Sequence, residues 1–122
     1  MKRILLIEDD PKIRRMLRKM LERGGYEVKE ASDGVEGLQM FRKEPADLVI
    51  TDIIMPRKEG LETILDLRRE FPEVKIIAIS GGGRLSPEPY LEVAEGFGAI
   101  RVFSKPFDLE EFQEAISELL EK

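Results

Sequence analysis

The sequence predicts an α/β fold built on a doubly wound, five-stranded parallel sheet, and three observations carry that expectation. Five short apolar runs recur along the chain, near residues 3–7, 26–30, 48–51, 74–79 and 99–103. The first, third and fourth hold continuous rather than alternating apolar stretches, Ile4–Ile7, Leu48–Ile50 and Ile76–Ile79, which suits strands covered on both faces. Between the runs lie segments with apolar residues at helical spacing, and such an alternation is what crossover connections between parallel strands require.

The elements follow in order. Lys2-Arg3-Ile4-Leu5-Leu6-Ile7 reads as the first strand and ends at Glu8-Asp9-Asp10. Asp10 before Pro11 is a helix N-cap with proline in the first turn. Ile13, Met16, Leu17, Met20 and Leu21 then form the stripe of a helix that buries them, and Gly24-Gly25 ends it. Tyr26 to Glu30 is a strand with polar interruptions, expected at a sheet edge. Asp33 caps a second helix with Val35, Leu38 and Phe41 inward, ending before Pro45. Leu48 to Thr51 is the central strand. Gly60 precedes a helix carrying Leu61, Ile64, Leu65 and Phe71, closed by Pro72. The run from Val74 to Ile79 is the fourth strand, followed by Ser80-Gly81-Gly82-Gly83 and a loop to Pro89; a shorter helix is expected around Tyr90 to Gly96. Ala99 to Phe103 is the last strand. Asp108, with Glu111 three residues on, opens a final helix expected to bury Leu109, Phe112, Ile116, Leu119 and Leu120. The whole chain, 1–122, reads as one domain without repeats or linkers.

Composition excludes several function classes. The 122 residues contain neither histidine nor cysteine, so imidazole catalysis, thiol chemistry, disulfides and soft-metal sites are all closed to this chain. Any metal must be a hard cation held by oxygen. A net charge of −5 argues against direct nucleic-acid binding, and no apolar run reaches the ~18 residues of a membrane span. These features agree with a cytoplasmic location.

In open parallel sheets, ligands bind beyond the carboxyl ends of the strands. The five strands deliver unequal chemistry there. The first offers Glu8 and Asp9, the third Asp52, the fourth Ser80 and the fifth Lys105, while the second offers only Ala31-Ser32. Three carboxylates brought together repel unless a cation joins them. An all-oxygen set selects Mg²⁺ or a similar ion, which retains waters and leaves room for a phosphoryl oxygen. Lys105 adds a positive charge, Ser80 a neutral donor, and the glycines from Gly81 leave backbone N–H groups accessible. The assembly is an electrostatic cradle for phosphoryl transfer, with Asp52 as the attacking nucleophile.

The set Glu8-Asp9, Asp52-Ile53-Ile54-Met55-Pro56, Ser80 and Lys105-Pro106 resembles the receiver domain of two-component response regulators, over essentially the whole chain. The resemblance implies a (βα)5 flavodoxin-like, CheY-like fold with strand order 2-1-3-4-5. It implies phosphoryl transfer to Asp52 from a phosphohistidine on a histidine kinase or histidine phosphotransfer domain, with output through contact with a downstream effector protein. The metal would be held by Asp9, Asp52 and the backbone carbonyl of Ile54, with Glu8 acting largely through water. Ser80, Gly81 and Lys105 would contact the phosphoryl group. Such a domain catalyses its own phosphorylation and dephosphorylation but is primarily a signalling protein. A chain without histidine cannot supply the donor itself, so another chain must.

Three positions depart from the family pattern. Val102 stands where an aromatic usually reports phosphorylation, and Phe103 beside it belongs to the opposite face of its strand. The segment from Gly81 to Pro89 is long and glycine-rich, and its ordering is the expected carrier of the signal in place of an aromatic rotation. Ile54, two residues after Asp52, is apolar where relatives often carry a polar group, and is expected to hinder an attacking water.

Rival readings make different demands. A haloacid-dehalogenase-type phosphohydrolase needs a second aspartate two residues after the nucleophile, where this chain has Ile54. A phosphorylation-independent or designed binding module needs no complete acid, serine and lysine set. Asp10 reads as a cap and Thr51 as packing. Lys12, Arg14, Arg15, Arg18, Lys19 and Arg23 on the first helix read as a solvated face, or, by the resemblance, as a docking surface for the donor. Nothing after the final helix reads as a DNA-binding segment, so the sequence reads either as a stand-alone receiver or as one domain of a longer regulator.

Overall fold

A computed structural model describes residues 1–53, 60–80, 101–104 and 108–120, with side chains throughout except at 60, 61, 80 and 104. Five strands form one sheet: β1 (Arg3–Ile7), β2 (Glu27–Ala31), β3 (Leu48–Asp52), β4 (Ile76–Ser80) and β5 (Arg101–Ser104). All pairings are parallel and the spatial order is β2-β1-β3-β4-β5. Four helices are described: α1 (Pro11–Arg23), α2 (Gly34–Lys43), α3 (Gly60–Glu70) and α4 (Leu109–Leu120). The helix expected around Tyr90 to Gly96 lies outside the described residues.

The two faces of the sheet are covered by different helix pairs because side chains alternate along each strand. Leu5, Ile7, Val49 and Ala78 join Leu38 and Phe41 of α2 and Ile64 and Leu67 of α3 in one core. Ile4, Leu6, Ile50 and Ile79 join Leu17 and Leu21 of α1 and Phe112, Ile116 and Leu120 of α4 in the other. Every residue of β3 is buried, as a central strand covered on both sides must be. Each fully buried Leu or Ile contributes about 1.5–3 kcal/mol relative to exposure. β2 lies at an edge, and its Lys29 faces solvent. Val102 packs in the first core and Phe103 in the second, so the two residues face opposite sides of β5.

The helix ends follow the local sequence. Asp10 accepts from the backbone N–H groups of Lys12 and Ile13, Asp33 from that of Glu36, and Asp108 from those of Glu110 and Glu111. α1 stops because Gly25 takes φ +91°, a left-handed conformation that costs other residues energy. Lys75 reaches across to donate to the Leu119 carbonyl at 2.6 Å, satisfying one free acceptor at the end of α4.

Several expected core positions differ. Met16 is 50% exposed and Leu109 44% exposed. The apolar stripe of α1 is wider than its contact with the sheet, so Leu17 and Leu21 take the centre and Met16 is left on a flank. Leu109 is the first residue of α4 and precedes the turn that settles on the sheet at Phe112. In α3 the buried apolar pair is Ile64 and Leu67, while Leu65 is half-buried. Phe71 lies just past the helix and packs edge-to-face on Phe41, with ring centroids 4.7 Å apart. Leu119 and Val35 are also half-buried.

Gly37 marks the tightest helix–sheet approach on the α2 side. A Cβ at this position would lie 2.4 Å from Ile7 Cδ1 and 2.8 Å from its Cγ1. Ile7 is fully buried, so it has little room to give way. Gly37→Ala is therefore expected to destabilise the fold. Overpacking of about 1–3 kcal/mol outweighs the ~1 kcal/mol that alanine gains in a helix. Urea unfolding monitored by circular dichroism should show a lower midpoint, and an unchanged or raised midpoint would refute the tight contact.

Candidate functional site

The site is set by register. Ile7 pairs with Thr51, so the residues that follow each strand of the β1–β3 pair emerge side by side at the carboxyl edge. Glu8 and Asp9 leave β1 there, and Asp52 closes β3. One carboxylate oxygen from each of Glu8, Asp9 and Asp52 lies within 4.8 Å of the others. Glu8 is fully buried, Asp52 is 7% exposed and Asp9 is open to solvent. Two shielded acids and one accessible acid thus share a mouth at the edge of the sheet.

The backbone around these acids is tied down. The Glu8 N–H donates to the Ala31 carbonyl at 3.0 Å, carrying the β1–β2 ladder one residue past the strand. The Ile53 N–H does the same toward Ile79 at 2.9 Å. Glu8 Oε2 accepts from the Asp10 N–H at 3.2 Å, folding the turn back on itself. Asp10 directs its own carboxylate to the α1 N-terminus, so it acts as a cap.

Two further residues hold the site and were not expected in that role. Arg14 Nη1 donates to the Glu8 carbonyl at 2.8 Å, and its Nε lies 3.4 Å from Glu30 on β2. Arg14 thus clamps the turn bearing the acid pair to the neighbouring strand. In sequence it looked like one of six basic residues on a solvated face. The one available signal was its spacing, one turn after the Asp10 cap. Thr51 is fully buried, and its hydroxyl donates to the Asp52 carbonyl at 2.9 Å, so its role is to fasten the residue beside it. Arg18 is also committed, to Glu30 and Glu22, and its guanidinium pKa is raised further, first by the Glu30 hydrogen bond and then by Glu22. Lys12, Arg15, Lys19 and Arg23 remain exposed.

The other expected site residues are placed by backbone alone or lie elsewhere. Asp52 is level with Ile79, so Ser80 ends β4 one residue beyond the level of the acid. Ser80 in turn is level with Ser104, the residue before Lys105. Ile54, Gly81 and Lys105 lie outside the described residues.

A divalent cation fits this donor set. The three acids offer only oxygen, converge within one coordination sphere, and include an exposed carboxylate through which a hydrated ion can enter. Among the described residues, no helix is long and apolar enough to cross a membrane.

Comparison with known proteins agrees with this geometry. The family model for the response regulator receiver domain matches residues 4–117. The chain is 36% identical over 120 residues to the response regulator receiver protein CpdR of Brucella abortus, covering 98% of both chains. It is 28% identical to sporulation initiation phosphotransferase F of Bacillus subtilis, covering 97% of this chain and 93% of that protein. Other curated relatives are about twice as long, and this chain spans about half their length. Among solved structures, the response regulator TrrA of Thermotoga maritima in complex with Mg²⁺-BeF superposes with a TM-score of 0.87 at 34% identity, covering 98% of this chain and all of that one. The register that gathers Glu8, Asp9 and Asp52, the 2-1-3-4-5 sheet and the family match together show that this chain belongs to the response regulator receiver domain family.

Proposed function

We propose that Asp52 is the phosphoryl acceptor of this receiver domain and that Mg²⁺ bound by Asp9 and Asp52, with Glu8 behind them, is required for the transfer. The observation that carries the reading is the convergence of the three carboxylates within 4.8 Å at the end of the central strand. An Asp52 oxygen attacks the phosphorus of a phosphohistidine on a partner. The new P–O bond forms as the P–N bond breaks, and its electron pair leaves with the imidazole. When bound, the cation neutralises charge on the transferring oxygens and on the acids around them. Glu8, buried and held through its backbone by Arg14, contributes negative charge without competing as a nucleophile. Thr51 and the β3–β4 ladder hold Asp52 in line.

The backbone carbonyl of Ile54 completes the cation's protein ligands in this reading, and Ser80, Gly81 and Lys105 receive the transferred oxygens. The donor is a histidine kinase or a histidine phosphotransfer domain, and the output passes to an effector protein by contact. The relatives named for receiver and phosphotransferase roles support this class of partner.

Two outcomes follow. Mg²⁺ should raise the thermal midpoint of the parent chain. At about ten times its dissociation constant the gain is ~1.4 kcal/mol, or about 5–6 °C for a domain of this size. Asp9→Asn should lose most of that gain in differential scanning fluorimetry, and equal shifts in both proteins would contradict the assignment. Incubation with acetyl phosphate and Mg²⁺ should add one phosphoryl group by intact mass. The addition should be absent with a chelator and in Asp52→Asn. A parent chain that gains no mass under these conditions would favour a phosphorylation-independent binding module.

A further inference from the structure

The Glu8–Asp9 peptide joins two of the three acids, and the orientation of its plane fixes the direction in which the chain leaves Glu8 for Asp9. The sheet stops holding the backbone at this joint. β2 ends at Ala31, whose carbonyl takes the Glu8 N–H at 3.0 Å. The Glu8 carbonyl, on the far side of the same residue, is met by Arg14 Nη1 at 2.8 Å. A charged donor makes the stronger kind of hydrogen bond, and a guanidinium presents its donors in one fixed plane. From the first turn of α1, Arg14 thus supplies the hold that the strand ladder no longer gives.

Arg14 is itself held. Its Nε lies 3.4 Å from Glu30 Oε1, and the other Glu30 oxygen accepts from Arg18 Nη1. Arg18 Nε in turn donates to Glu22 at 3.3 Å. A line of alternating charge therefore runs between α1 and the edge strand β2 and ends on the backbone between two acids. The Arg14 and Glu30 side chains are 23% and 25% exposed, so solvent screens this pair less than the open pairs of the surface. Glu30 also offsets the Arg14 charge, which would otherwise oppose a divalent cation at the acids.

We propose that Arg14 is a positioning residue for the cation site of Glu8, Asp9 and Asp52, and that Glu30 positions Arg14, so that the edge strand β2 sets part of the site's affinity for Mg²⁺. The inference rests on the metal reading of the three acids and adds to it two residues outside their cluster. Arg14 acts on a bound cation in two opposed ways. Its charge repels the cation, while its hold on the Glu8 carbonyl keeps the acids converged. Groups that orient metal ligands are commonly worth about ten- to a hundredfold in affinity. A single charge outside the cluster, with its counter-charge beside it, is worth less. Position therefore outweighs charge, and the two effects predict opposite signs when the side chain is removed.

The test is a Mg²⁺ titration of the full chain followed by amide chemical shifts at ~0.15 M salt, with thermal midpoints of the metal-free proteins measured alongside. Arg14→Met keeps the apolar stem and should weaken Mg²⁺ binding by about tenfold. Arg14→Lys keeps the charge and a donor without the planar fork, and should recover part of that loss. Glu30→Gln should weaken binding by about threefold in the parent and have little further effect beside Arg14→Met, because it acts through Arg14. Circular dichroism matching the parent confirms that each variant is folded, and Arg14→Lys and Glu30→Gln carry the test should Arg14→Met fail to fold. A purely structural role would lower the metal-free midpoint and leave the dissociation constant unchanged, which would overturn the inference. Tighter binding by Arg14→Met, the result expected if charge alone mattered, would overturn it too. A Glu30→Gln effect that persists in full beside Arg14→Met would remove Glu30 from the account. A parent chain without Mg²⁺-dependent shifts would overturn the metal reading and this inference with it, whereas a parent that binds no better than Arg14→Met overturns this inference alone.

Discussion

The parallel pairing of β1 with β3 is the constraint on which the rest of the molecule depends. With Ile7 opposite Thr51, the next residues of both strands must emerge together, and here those residues are acids. Three carboxylates within 4.8 Å repel one another, so the surrounding structure has to hold them in place. It does so with backbone ladders that run past the strand ends, with the Arg14 clamp on the Glu8 carbonyl, and with the Thr51 hydroxyl on the Asp52 carbonyl. In the proposed site, a divalent cation would relieve that repulsion. The fold thus holds three acids in one cluster, the arrangement on which the proposed metal and phosphoryl site rests.

Burial distinguishes the three acids. Asp9 faces solvent, Asp52 is almost wholly covered and Glu8 is fully covered. A carboxylate at the tip of a fully buried central strand has little freedom to reorient, and such positioning is most of what phosphoryl transfer asks of a protein. The two sheet faces reinforce it. Ile53 and Ala78 join the core under α2 and α3, while Ile50 and Ile79 join the one under α1 and α4, so both faces fix the strand that carries Asp52.

Much of this was legible in the sequence, for identifiable physical reasons. Continuous apolar runs announce doubly covered strands, and the Asp caps at 10, 33 and 108 announce helix starts; both follow from local chemistry. Reading which residue ends each strand was enough to bring Glu8, Asp9 and Asp52 together. Arg14 was hidden because a basic residue off an apolar stripe has the same local signature whether it is solvated or clamping a carbonyl six residues back. Met16 and Leu109 were misjudged because helical periodicity defines a stripe but not how much of its width the sheet will cover. The stripe on α1 is broader than its contact, and Met16 is the excess.

The central claim is that Asp52, and neither of its acidic neighbours, receives the phosphoryl group. The direct measurement is reductive trapping: the chain is phosphorylated with a small-molecule donor and Mg²⁺, reduced with borohydride, digested and sequenced by tandem mass spectrometry. Borohydride converts an aspartyl phosphate to homoserine, which marks the modified position. Homoserine at position 52 alone is the predicted result. Reduction at Asp9 or Glu8, or no reduced residue in a chain shown to be phosphorylated, would contradict the account.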